Sequence, residues 1–293
     1  MSFSSGDPAL ALESLHNGNW SATWNATHAS SAVTITAQAQ QVQPALTGNA
    51  SIGGTLQPNT ATPSVSSGGV IGIFSAGPNQ PLSPGGYATI YGSNLSQGSN
   101  IATQVPFGVQ LGGTSVILGG KQLPLSYTSG GQVNVVVPYD VPINTTQQLV
   151  VQNGAAISIP QAVVIAAAQP AILSPNGAAY IDVYAADGTA LPVNSAVTAG
   201  DVITLYCSGL GAVTPPVTAG SPAPSSTLSK TVNPVTAMIG QTPAVVQFAG
   251  LAPGWVELYQ VNVTIPSGLP SGKALLTLSV SGQQSAPVSI TVK

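Results

Sequence analysis

Apolar and polar positions alternate along this chain in short runs, and the three-to-four-residue spacing of helices is almost absent. Val33-Thr34-Ile35-Thr36-Ala37-Gln38-Ala39 places Val33, Ile35, Ala37 and Ala39 on one face of a strand. Tyr87 to Tyr91, Gln132 to Val137, Val202 to Tyr206 and Val261 to Ile265 follow the same rule. Gly, Pro, Asn and Ser separate the runs at roughly the 8–12-residue spacing of a β-sandwich. Asp187-Gly188 predicts a tight hairpin turn joining a strand over 180–185 to one over 190–193.

The pattern repeats within the chain. Pro84-Gly85-Gly86-Tyr87-Ala88-Thr89-Ile90-Tyr91-Gly92-Ser93-Asn94-Leu95 aligns with Ala199-Gly200-Asp201-Val202-Ile203-Thr204-Leu205-Tyr206-Cys207-Ser208-Gly209-Leu210. Ile117-Leu118-Gly119 aligns with Met238-Ile239-Gly240, Tyr127 with Phe248, and Gln132-Val133-Asn134-Val135-Val136-Val137-Pro138 with Gln260-Val261-Asn262-Val263-Thr264-Ile265-Pro266. Four landmarks in one order predict two homologous β-domains, set at 67–167 and 168–293. The second inserts 251–259 where the first has only Ser129-Gly130-Gly131. In each repeat a Gly opens a strand through a tight turn, and Pro ends the Gln-Val-Asn-Val strand because it has no N–H to donate. The Gln and Asn of that strand are expected to satisfy nearby turn backbone. Either Tyr87, Thr89 and Tyr91 or their neighbours face the core.

The second repeat, with Ala199-Gly200-Asp201-Val202-Ile203-Thr204-Leu205-Tyr206-Cys207-Ser208-Gly209-Leu210-Gly211, Ala249 to Pro266 and the terminal Ser289-Ile290-Thr291-Val292-Lys293, resembles the C-terminal domain family of acidobacterial (Solibacter-type) secreted proteins. Pro81 to Leu95 is similar to that family's first half, itself similar to IPT/TIG immunoglobulin-like domains. The resemblance covers about residues 68–293. It implies an extracellular or cell-surface setting and immunoglobulin-like sandwiches, with no reaction and no catalytic residues. Cys207 departs from the pattern, where a small residue or Thr is more usual.

Residues 1–66 differ. They predict about three strands where a closed sandwich has about seven, and three strands with one apolar face are marginal alone. The missing cover is expected from a removed remainder, from the neighbouring domain, or from another chain by strand addition.

Charge narrows the function. Only 4% of the 293 residues are charged and 43% are hydrophobic, against about 25% charged in an average domain. The four cations are all Lys and the net charge is -3, which excludes a phosphate-neutralising nucleic-acid binder. A mean hydropathy of +0.34 excludes disorder of the usual charged kind. The longest apolar stretch, 162–168, is far short of the roughly 20 residues of a membrane helix. The start has neither a basic nor an apolar signal region, so an exported form is expected to have lost its signal or to be part of a longer chain.

Reactive chemistry is sparse. His16 and His28, with Asp7 and Glu13 nearest in sequence, make a poor metal set, and no Gly-x-Ser-x-Gly occurs. Asp187 is explained by its turn, and Asp182 alone makes no calcium site. Cys207, between Tyr206 and Ser208, is read as a buried inert thiol. Sequons at Asn19, Asn25, Asn49, Asn94, Asn144 and Asn262 match by composition. Lys121, Lys230 and Lys273 form Lys–Asn crosslinks only if buried. Trp20 and Trp24, four apart and read as sharing a strand face, and Trp255 with Tyr259 in the insertion, are the candidate ligand-binding aromatics.

The reading is all-β: tandem immunoglobulin-like β-sandwiches with a partial N-terminal β-domain over 1–66. It predicts a non-catalytic, secreted or cell-surface structural or adhesive protein, the subunit of an extracellular fibre assembled through β-strand contacts. The alternative is a carbohydrate-binding accessory region of a larger secreted polysaccharide-active protein. No catalytic residue, metal or cofactor is assigned. The expected partners are further copies of the chain or a polysaccharide, with no nucleic acid and no membrane span.

Overall fold

The computed structural model describes residues 1–16, 18–22, 24, 26, 30–56, 62–75 and 77–293. The chain divides into two compact units, Met1–Ala61 and Thr62–Lys293. It is all-β, and among the described residues the one helical element is a 3-10 turn at Pro175–Gly177.

In the first unit the alternation at 33–39 becomes the strand Ser30–Gln41, antiparallel to Leu46–Leu56. Ile35 pairs with Ile52, Ala37 with Ala50 and Ala39 with Gly48, so the apolar side chains share one face of a two-stranded ribbon. Ser2–Phe3 pairs only at Thr36 and Ile35. Val33 and Phe3 are buried, whereas Ile52 is 67% and Leu46 58% exposed. Along that shared face burial falls from Val33 through half-buried Ile35 and Ala37 to exposed Ala39. A small hairpin, Glu13–Ser14 with Trp20–Ser21, stands apart from the ribbon's sheet.

The second unit holds two immunoglobulin-like sandwiches in tandem. In the first, one sheet runs Ser64–Gly72, Tyr87–Ser93, Gln132–Val136, Leu125–Thr128, Asn100–Ile101, and the other is built on Thr114–Leu118 and Thr145–Asn153. Between them Ile90, Leu118, Val133, Val135, Leu149, Val151 and Ile165 are fully buried. A second core begins at Ala168 and ends at Val292, centred on Ile203, Leu205, Ile239, Val261, Leu276 and Leu278. Here the strand Thr242–Leu251 serves both layers. Its start pairs with Val235–Ile239 up to Ala244 and its remainder, from Val245, with Tyr259–Thr264, and a register shift follows between Val246 and Phe248.

The repeat is reproduced in register. Ala88 and Ile90 point inward, so Thr89 and Tyr91 take the outer face. Thr89 then pairs with Asn134 and Tyr91 with Gln132, as Thr204 pairs with Asn262 and Tyr206 with Gln260. Tyr127 and Phe248 oppose those same asparagines, each just after a register shift. The Gln and Asn do not serve turn backbone as expected. Gln132 Nε2 donates to Asn134 Oδ1 at 2.8 Å and Gln260 Nε2 to Asn262 Oδ1 at 2.9 Å, because residues two apart on a strand share a face.

The sandwiches meet along a polar seam. Tyr87 N–H donates to Ser208 Oγ, and Phe107 N–H to Gly220 O at 2.8 Å. Tyr139, just past the strand-ending Pro138, packs against the second core. Gly85 (φ +68°) makes this close approach workable: a Cβ there would lie 2.2 Å from the Tyr139 ring and 2.5 Å from the Tyr259 hydroxyl.

Candidate binding surfaces

The structure disperses the four predicted aromatics. Trp20 lies in the strand Trp20–Ser21 and is 61% exposed. Trp24 is not on that strand. It stacks on Phe3 with centroids 4.1 Å apart, and its Nε1–H donates to the buried Asp7 carboxylate at 3.1 Å. The expected shared strand face is absent because the strand ends at Ser21; Trp24 fixes the first unit instead. Tyr259 is fully buried and its hydroxyl donates to Gly211 O. It is a core residue beginning the strand Tyr259–Thr264, so it forms no platform with Trp255.

Trp255, 63% exposed, sits at the tip of a pinned loop. Ala223 N–H donates to Trp255 O and Gly254 N–H to Ala223 O, both at 2.8 Å. Beneath it Glu257 adopts φ 44°, a left-handed conformation that non-glycine residues rarely take. Its side chain is 1% exposed, and Oε1 accepts from Gly220 N–H at 3.1 Å. Oε2 is buried with no hydrogen-bond partner among the described residues. Burial pushes this carboxyl up to about 8, with the Gly220 bond opposing the rise. Burial, and then the Glu257 charge, raise Tyr87 and Tyr139 as well. One carboxyl group thus ties the Trp255 loop to the seam. Its position between apolar Val256 and Leu258 gave no sequence sign of burial.

The remaining reactive side chains are accounted for by structure. Cys207 is fully buried, 3.9 Å from Tyr259 O, and burial drives its thiol far above the usual value. Asp187 accepts from Thr189 N–H in the predicted hairpin, and that bond lowers its pKa. Asp201 caps its turn by accepting from Thr198 N–H and Oγ1. Lys121 pairs with Asp140 at the surface. His16 lies in an exposed turn at φ 59°, while His28 and Asn25 fall outside the described residues. Among the described residues no three His, Cys, Asp or Glu side chains gather as a metal set, and no helix is long and apolar enough to cross a membrane.

The outer face of the second sandwich collects aromatics outside the candidate ligand-binding set. Tyr180, Asp182 and Tyr184 alternate outward along Ile181–Tyr184 and its start. Asp182 pairs with Thr204 in the neighbouring strand, so Tyr180 lies beside Tyr206. The two rings are 6.4 Å apart, and Tyr206 donates to Asp182 Oδ2 at 2.8 Å. Partial burial and then that acidic partner raise the Tyr206 hydroxyl to about 12.

No family model matches the chain, and no curated protein matches it. It is similar to the solved structure of SGBP-B from the Bacteroides ovatus mixed-linkage glucan utilization locus, in complex with a heptasaccharide. The identity is 15% and the TM-score 0.36, covering 92% of this chain and 56% of that one. It is also similar to domains 5-6 of the S-layer protein SbsC (14% identity, TM-score 0.24, 79% and 98% covered) and to the I9-I11 tandem of titin (9%, 0.21, 90% and 73%). At these values nothing beyond the all-β architecture already described is carried across.

Proposed function

We propose that this is a non-catalytic structural or adhesive protein of the cell exterior, whose copies join through β-strand contacts made by the N-terminal ribbon. The observation that carries the reading is the ribbon itself. From 30 to 56 it contains no Asp, Glu, Lys or Arg, and its apolar face, buried at Val33, is exposed at Ile52 and Leu46. Natural edge strands are usually guarded by charge, by bulges or by a covering element. This ribbon has one register shift, between Ser30 and Val33, and no charge along the rest. A second copy, equally uncharged, is the partner that meets it without a desolvation penalty for ions. The resemblance to secreted acidobacterial domains supports the external setting.

The test is sedimentation velocity of the full chain over a concentration series, with Ile52→Lys as the variant. Concentration-dependent assembly that the variant abolishes, while its Tm is unchanged, is the expected result. A monomer at every concentration, or equal assembly by the variant, overturns the proposal. A second reading, a carbohydrate-binding accessory region, draws on the exposure of Trp255 on its pinned loop. It expects glycan binding that Trp255→Ala removes.

A further inference from the structure

The outer face of the second sandwich forms a patch of a different chemical kind. Across adjacent strands it presents Tyr180, Asp182 and Tyr184, then Tyr206 with Thr204 buried beside it, then Gln260 and Asn262, with Phe248 on the next strand. Three strand spacings of about 4.8 Å separate the Tyr180 row from Phe248, about 14 Å in all. Tyr180 and Tyr184 are 36% and 38% exposed, and Phe248, Tyr206, Gln260 and Asn262 are half-buried.

The polar groups on this face are already held in place. Tyr206 donates to Asp182, Thr204 Oγ1 to Asn262 Oδ1 at 3.2 Å, and Gln260 Nε2 to the same Asn262 oxygen. Side chains tied in this way lose little freedom when a ligand arrives. Each amide still has hydrogen-bonding capacity left, since Gln and Asn carry two donors and a two-lone-pair acceptor. The tyrosine rings add flat apolar area with a polar rim. Asp182 is the one carboxylate or ammonium on the strands Ile181–Tyr184, Val202–Ser208, Tyr259–Thr264 and Thr242–Leu251.

The equivalent face of the first sandwich provides an internal comparison. It repeats Thr89, Tyr91, Gln132, Asn134 and Tyr127 in the same register. Its edge strand Ser64–Gly72 contains no tyrosine and no acid to flank Tyr91. The shared set is therefore part of the repeat, and the Tyr180–Asp182–Tyr184 edge is an addition to one copy.

We propose that this face binds a neutral polysaccharide, with Tyr180 and Tyr206 stacking on pyranose rings while Asp182 and Gln260 hydrogen-bond to sugar hydroxyls. The ligand chemistry follows from charge. These four strands carry no cation, and Lys230 borders the face only beyond Phe248, opposite Gly250 on the next strand, so the Tyr180–Tyr206–Gln260 region favours a neutral ligand over a phosphate, sulfate or uronate; one hydrogen-bonded carboxylate does not make a cation site. A sugar offers apolar C–H faces to the rings and hydroxyls to the amides and carboxylate. The proposal concerns the same ligand class as the second reading above but a different surface, and it does not depend on ribbon assembly.

The test is affinity electrophoresis of the full chain in gels containing hydroxyethyl cellulose, galactomannan or xylan, with polygalacturonate as the anionic control. Retardation by at least one neutral polymer and none by polygalacturonate is expected. Tyr180→Ala and Tyr206→Ala should each weaken it at least tenfold, while Tyr91→Ala and Trp255→Ala leave it within twofold. Tyr180 is exposed enough for its alanine variant to keep the wild-type Tm, so a folding defect at Tyr206 does not blunt the test. Absence of retardation by all three neutral polymers overturns the proposal, as does retardation only by polygalacturonate or undiminished binding by folded Tyr180→Ala. Loss in Trp255→Ala alone overturns it too and transfers the site to the loop, and self-association without polysaccharide binding assigns the face to another copy.

Discussion

At the scale of single residues, Glu257 is the side chain whose environment departs most from its ordinary one. Unfolded, its carboxyl ionises near its usual 4.5; folded, burial raises that to about 8. Between those values the unfolded chain has released a proton that the folded chain retains. Stability is therefore unaffected by this group below about 4.5 and falls as pH rises through about 8. At about 1.4 kcal/mol per pKa unit, the loss is on the order of a few kcal/mol. Glu257→Gln carries no charge at any pH, so its Tm between pH 5 and pH 8.5 should be nearly flat where the wild type declines. Thermal unfolding at a series of pH values measures this directly. Gly85 makes a second residue-scale prediction. Gly85→Ala forces a Cβ into the Tyr139 ring at a positive φ, and urea unfolding should show a loss of more than about 2 kcal/mol. Cys207 should resist thiol reagents until the protein is denatured, as full burial and the absence of a nearby cation require.

At the scale of elements, alternation carried most of the information. The runs at 87–91, 132–137, 202–206 and 261–265 became strands because each has one face of Val, Ile, Leu or Ala and one of Thr, Tyr, Gln or Asn. The aligned Tyr127 and Phe248 each follow a register shift, which the alignment itself does not show. Pairing partners were less legible. Tyr206 acquires Tyr180 and Asp182 only because the strand Ile181–Tyr184 lies beside Val202–Ser208, a register that local sequence does not encode. Tyr259, which the repeat alignment places in the insertion, begins a core strand. The true loop, 252–258, is shorter and is anchored by the one acid within it. Trp20 and Trp24 were misplaced because spacing of four implies a shared face only on a continuous strand, and that strand stops after two residues. The N-terminal ribbon was foreseen as strands. The exposure of Ile52 and Leu46 was not, since periodicity identifies an apolar face without identifying its cover. At this scale Ile52→Lys should abolish assembly and leave the sandwiches' unfolding transition in place.

At the scale of the molecule, several ionisable groups serve turns, a cap and one seam, and the outer surfaces consist mostly of hydroxyls and amides with few charges. Such surfaces respond weakly to salt and pH. The two sandwiches share Gly220, whose N–H serves Glu257 and whose carbonyl serves Phe107, so their junction is fixed by backbone groups as well as by packing. Strand contact between ribbons predicts that backbone amides in 46–56 gain protection when copies meet. Hydrogen exchange of this segment, followed from low to high protein concentration, reads that event directly. The account predicts fast exchange when dilute and strong, concentration-dependent protection within 46–56 alone. Exchange in 46–56 that stays equally fast at every concentration would contradict it.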